Sequence, residues 1–146
     1  MALAYGFSVN QCLIQFLHLR SLTLGNYEIE LLAEALHDYK YLTEIDLSHN
    51  RLEGSKGGAA ISKLIARGMN RKGGDDLKLL NLSHNKLGDF GCAAIINELL
   101  QPGAFIETLN LSCNQMEEIR FTVALEPGTE RIFAVTNFTL DDNRIK

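Results

Sequence analysis

The sequence has no tryptophan, two prolines and three cysteines in 146 residues. With aromatics at 8%, leucine and isoleucine must carry the core, which suits stacked aliphatic ladders better than a core built around a few large rings. Cys12, Cys92 and Cys113 are odd in number and scattered. That excludes a disulfide framework and points to a reducing, cytoplasmic compartment. Basic residues are outnumbered 14 to 18, for a net charge of −4. The clustered positive charge that binds nucleic acid is missing, and an anionic membrane surface is disfavoured for the same reason. No apolar run approaches the ~20 residues that span a bilayer. The opening, MALAYGFSVNQCLIQFLHL, has no basic lead and is interrupted by Asn10, Gln11 and Gln15. It fits a signal peptide poorly, and residues 1–18 are expected to form a helix that caps one end of the fold.

What the chain has in abundance is self-similarity, which takes precedence in any fold argument. LTEIDLSHNRL starts at Leu42, LKLLNLSHNKL at Leu77 and IETLNLSCNQM at Ile106. Each fits L-x-x-L-x-L-x-x-N-x-L, with Asn50, Asn85 and Asn114 at the ninth position. VTNFTLDDNRI, from Val135, places Asn143 there. LRSLTLGNYEI, from Leu19, is a weaker copy with Tyr27 in place of asparagine. The spacing is 29 residues from Asn85 to Asn114 and again to Asn143, 35 from Asn50 to Asn85, and 23 from Tyr27 to Asn50. In this frame the first unit is short.

The alternating L-x-L core reads as a strand with one face inward. A short strand recurring every ~29 residues must lie parallel to its copies, because each return is a crossover. The asparagine sits where the chain leaves the strand, and its amide can satisfy backbone groups exposed by the bend. Stacked copies then form an asparagine ladder. The returns carry helical spacing: Ile61, Leu64 and Ile65 in one unit, Ile95, Ile96, Leu99 and Leu100 in another, and Leu31, Leu32, Ala35 and Leu36 in the first. Residues Arg67 to Asp76 form an insertion expected to be a charged loop. The return after Met116 lacks the glycine turn and contains Pro127-Gly128, so it is expected to be irregular.

The pattern LxxLxLSHNKLGDxGxxAIxxLL resembles the leucine-rich repeat of the ribonuclease-inhibitor type, from about Leu19 to Ile145. The resemblance implies an α/β solenoid, a right-handed strand–helix horseshoe segment with about five parallel strands. It would be a single domain over residues 1–146, with repeats from about 19, 42, 77, 106 and 135. It also implies the company of ribonuclease inhibitor, innate-immune sensor arrays, the Ran GTPase-activating protein and ciliary dynein-regulatory scaffolds. Their functional residues have no counterpart here beyond the repeat frame.

Strand alternation puts positions three, five and seven on the concave face and position eight near its rim. The partner-facing set is then Glu44 and Leu79 at position three; Asp46, Asn81 and Asn110 at five; Asp141 at seven; and His49, His84, Cys113 and Asp142 at eight. Arg20, Lys78 and Glu107 add to it at position two. The face is polar and moderately acidic, which suits a protein partner with a basic surface. The last strand would be an open edge where a partner can dock.

Catalytic and metal chemistry fit less well. His49, His84, Cys113 and Asp142 are metal-ligating residue types in one column, but three strand gaps span roughly 14 Å, too far for one tetrahedral ion. Neither a metal nor a cofactor is expected. Cys113 with His84 and Asp46 or Asp142, or one of Ser48, Ser83 and Ser112, could be drawn as a nucleophile triad. All lie on an open face without shelter. Gly54-Ser-Lys-Gly57-Gly58 is no phosphate loop, because Lys56 is followed by glycine. The sequence therefore points to a non-catalytic protein-binding module. The alternatives are a regulator of an enzyme, which would use Arg20, Arg51 or Arg71, and a structural subunit of an intracellular or ciliary assembly.

Overall fold

A computed structural model describes residues 14–36, 39, 41–69, 77–101, 104–118 and 135–145. Five strands, β1 (Phe16–His18), β2 (Glu44–Asp46), β3 (Leu79–Asn81), β4 (Ile106–Asn110) and β5 (Val135–Thr139), form one open parallel sheet in chain order. Helices α1 (Asn26–Ala35), α2 (Gly54–Met69) and α3 (Gly88–Leu99) link the first four strands and pack on one another in sequence. The fold is an α/β leucine-rich repeat solenoid.

The core lies between sheet and helices. Leu47, Leu82 and Leu111 are completely buried at position six, and Ile45, Leu80 and Leu109 at position four. Each such side chain contributes roughly 1.5–3 kcal/mol of apolar burial. Hydrophobic burial has no direction, so something else must set the register. That role falls to the asparagines. Asn85 Nδ2 donates to Leu82 O of its own repeat and to Leu47 O of the one before, at 2.9 and 3.1 Å. Its Oδ1 accepts Leu52 N–H of the preceding repeat at 3.1 Å. Asn50, Asn114 and Asn143 repeat the scheme.

The first repeat departs from the sequence expectation. Leu17 pairs with Ile45 and His18 with Asp46, so this repeat begins at Ile14, five residues before Leu19. Position nine is Leu22, not Tyr27, and Tyr27 lies in the first turn of α1. The unit is not short: Leu17, Ile45, Leu80, Leu109 and Phe138, which share one register, lie 28, 35, 29 and 29 residues apart. The expected helix over residues 1–18 is contradicted at Phe16–His18, which is strand; residues 1–13 lie outside the described residues. The inward face of α1 is Ile29, Leu32, Ala33 and Leu36, with Leu31 exposed. The insertion is helical as far as Met69, so its first three residues extend α2. Its remainder, and the return over 119–134, lie outside the described residues.

Two turn types connect strand to helix. Where glycine is available, Gly54 and Gly88 take positive φ of 56° and 59°. Repeats one and four lack a glycine there, and Thr23 and Gln115 at position ten turn left-handed instead, with φ of 58° and 63°. Side chains then fasten neighbouring turns. Asn26 exchanges two hydrogen bonds with the backbone of Glu53, and Asp89 Oδ1 accepts the N–H groups of Glu117 and Glu118. Helices α2 and α3 meet through glycines. A methyl on Gly58 would lie 2.3 Å from Gly91 O, and one on Gly91 would lie 2.6 Å from Gly54 O.

Two substitutions check this account by thermal or urea unfolding. Asn85→Ala strands buried backbone groups of two repeats and is expected to cost about 1–3 kcal/mol. Gly91→Ala drives a methyl into helix backbone and is expected to cost about 1–3 kcal/mol through overpacking. Ser55→Ala, on the exposed side of α2, should stay within about 0.5 kcal/mol of the parent. A near-neutral result for Asn85→Ala contradicts the ladder.

Candidate concave-face binding site

The strands are short because each is bent at its end by its own side chain. At position five, Asp46, Asn81 and Asn110 accept the N–H of Ser48, Ser83 and Ser112, two residues on, at 2.8–3.1 Å. This turn tucks position seven inward. Ser48, Ser83 and Ser112 are 1–8% exposed, so they are interior residues and not the concave residues that strand alternation predicts. Position eight then flips outward in the left-handed region, with φ of 53–58° at Ser21, His49, His84, Cys113 and Asp142. Histidine and aspartate tolerate that conformation better than β-branched residues do.

The sheet register assigns the face. Position three carries Phe16, Glu44, Leu79, Thr108 and Asn137; position five carries His18, Asp46, Asn81, Asn110 and Thr139. Lys78 and Glu107 are exposed at position two and Asp141 at position seven. Arg20 also belongs to position seven, a correction to position two, because the first repeat begins at Ile14. The sequence frame missed Phe16, which is 56% exposed, and His18. The signal that locates them is spacing: Leu22 lies 28 residues before Asn50, close to the 29 of later units, whereas Tyr27 lies 23 before it.

The position-eight column brings His49 and His84 together. Their rings stack with centroids 4.0 Å apart and planes 13° from parallel. Parallel rings aim their nitrogens along parallel planes, so they do not converge on a point as tetrahedral ligation demands. Arg20 Nη2 lies 3.2 Å from His49 Nε2. A guanidinium can only donate, so Nε2 accepts and the ring proton sits on Nδ1. Loss of water around the ring lowers the His49 pKa below the usual histidine value, and the charges of His84 and Arg20 lower it further against the opposing pull of Asp46.

The thiols are held protonated. Burial, with Asp89 nearby, pushes Cys92 up to about 12. Partial burial, then Asp142 and Asp141, raises Cys113, whose Sγ lies 4.0 Å from Asp142 Oδ2. A reactive cysteine needs the opposite, a thiolate favoured by positive neighbours.

Among the described residues no group of three or more histidine, cysteine, aspartate or glutamate side chains is placed to hold a metal ion, and no helix is long and apolar enough to cross a membrane.

A folded-state pKa below the ordinary one means that neutral His49 is favoured by folding. Its stabilising share is present above the unfolded pKa and is lost as pH falls through the window down to the folded value. Nuclear magnetic resonance titration should place the His49 midpoint below the ordinary histidine value. Arg20→Ala should move it up and Asp46→Asn should move it further down; an unchanged midpoint in both contradicts the contact.

Residues 76–95 match the Leucine Rich repeat family model and residues 41–64 match a second Leucine Rich Repeat model. These are the segments around β3–α3 and β2–α2, where the asparagine, the inward leucines and the glycine turn coincide. No curated protein matches the chain. With two matched repeats inside a sheet whose five strands share one register, this chain is a leucine-rich repeat protein.

Proposed function

We propose that the chain is a non-catalytic protein-binding module of the ribonuclease-inhibitor type of leucine-rich repeat, taking its partner on the concave strand face and rim. Leucine-rich repeat domains generally mediate protein–protein interaction, and the units of about 29 residues, one strand and one helix each, support the finer class. The observation that carries the choice of face is how the side chains divide their work. Positions five and nine are engaged in internal hydrogen bonds. Among the described residues, the side chains of Glu44, Lys78, Glu107 and Asp141 make no hydrogen bond or ion pair. Three of these four charges are acidic. They flank two apolar contacts, Phe16 and Leu79, of the kind that anchors an interface.

The partner that fits presents basic groups around an apolar centre. Its charges would pair with Glu44, Glu107, Asp141 and Asp142, while Asp46, Asn81, Asn110, His49, His84, Cys113 and Arg20 shape the floor and rim. Complementary charge of this sort governs encounter rate and selectivity more than total affinity. The free thiols of Cys92 and Cys113 support a reducing, cytoplasmic location. Nucleic acid and membrane are not the proposed partners, because the unpaired charge on the face is mostly negative.

Affinity purification from a cytoplasmic extract, read by mass spectrometry, tests this with three baits. The parent and Glu30→Gln, altered on a helix away from the face, should retain a common protein. The double variant Glu44→Lys, Glu107→Lys should lose it, with affinity down about tenfold or more and the parent complex weakened by added salt. An identical set of retained proteins for all three baits overturns the reading.

A further inference from the structure

The hydrogen bonds between repeats run one way. At position six, Leu19, Leu47, Leu82 and Leu111 donate their N–H to the next repeat's Asp46, Asn81, Asn110 and Thr139 carbonyls, at 2.8–2.9 Å. At position eight, Ser21, His49, His84 and Cys113 do the same to Ser48, Ser83, Ser112 and Asp141. At position eleven, Leu24, Leu52, Leu87 and Met116 donate to the next repeat's asparagine Oδ1. At position nine, Leu22 and Asn114 do likewise. The fifth repeat holds the same four donors: Leu140, Asp142, Asn143 and Ile145. Among the described residues, no acceptor meets any of them.

Apolar surface is open at the same edge. Ile145 is 40% exposed, whereas its equivalents Leu52, Leu87 and Met116 are 0–1% exposed. Leu140 is only partly buried, whereas Leu111 is fully so. The β5 edge thus displays the donor pattern and apolar seat that every interior repeat uses to hold its neighbour.

We infer that the β5 edge is a docking site for a parallel strand followed by an asparagine-bearing turn, supplied by a leucine-rich repeat of another chain rather than by a second copy of this one. The argument against a second copy is Leu22. A copy stacked head to tail would offer its β1 carbonyls to Leu140 and Asp142. It would bring Leu22, with no side-chain acceptor, to the N–H groups of Asn143 and Ile145. Two donors would then be buried without partners, which nature avoids. A partner with asparagine at that position meets all four. Asp141 and Asp142 at the rim of the same edge add a preference for basic residues on the partner strand. This inference does not rest on the concave-face reading, and either can fail alone.

The probe is a consensus leucine-rich repeat protein whose uncapped first repeat carries asparagine at position nine, compared with a twin that carries leucine there. Titration against the full chain should show the asparagine form binding at least about tenfold tighter than its twin, the size expected from two N–H groups left unpaired. Amide hydrogen exchange should slow at Leu140, Asp142, Asn143 and Ile145 on binding. Ile145→Asp should abolish binding, while the Glu44→Lys, Glu107→Lys variant should bind the probe as the parent does. Equal affinity for the two probes, absence of binding by the asparagine form, or full binding by Ile145→Asp overturns the proposal. So does concentration-dependent self-association of the parent that protects those four amides.

Discussion

Each rung of the position-nine ladder is one carboxamide shared between two repeats. Its nitrogen donates to a carbonyl on either side of the repeat boundary, and its oxygen receives N–H groups from the preceding turn. The aliphatic side chains supply most of the free energy of association between sheet and helices, but they would accept a neighbour slid along by a residue or two. The amide does not accept this. A slip leaves several buried polar groups without partners, and the low dielectric of the interior makes each omission costly. Stability and register therefore come from different atoms: leucine methyls for the first, asparagine amides for the second.

The geometry of the face follows from that constraint. With position nine anchored inward, the chain must turn between positions five and nine. It does so by an aspartate or asparagine turn at five, an inward serine at seven and a left-handed residue at eight. Left-handed backbone at a residue other than glycine is unfavourable and persists where the surroundings over-determine it. Here the ladder on one side and the forward hydrogen bond from position eight on the other hold it. The result is a line of outward side chains along the rim, with the His49–His84 stack at its middle. The same turn buries the serines that would otherwise have offered nucleophiles, and the protonated thiols leave the face as a surface for contact.

Repeat stacks are nearly one-dimensional, so their two ends need not be chemically alike. In this chain they differ at a single position. Leu22 at the β1 end has no amide to offer, whereas Asn143 closes the last rung and leaves its own N–H open. The polarity of the backbone bonds adds to this, because donors face one way along the whole stack.

Most of the fold was legible in the sequence for one reason: four copies agree on where leucine and asparagine stand, and period alone converts that agreement into strands, helices and a buried ladder. Leu47, Leu82 and Leu111 and the amides of Asn50, Asn85, Asn114 and Asn143 needed no further information. The first repeat was not legible in this way. Leu19, Leu22 and Leu24 satisfy the L-x-x-L-x-L frame as well as Ile14, Leu17 and Leu19 do, so the local pattern is degenerate. Pairing of Leu17 with Ile45 resolves it, and that is a contact between residues 28 apart. The inward serines, the contact of Arg20 with His49 and the open donors at β5 are likewise products of neighbouring strands meeting. A sequence states which side chains repeat; only the packed sheet decides which of two equivalent leucine triplets lies beside its neighbour, and so which residues reach the surface.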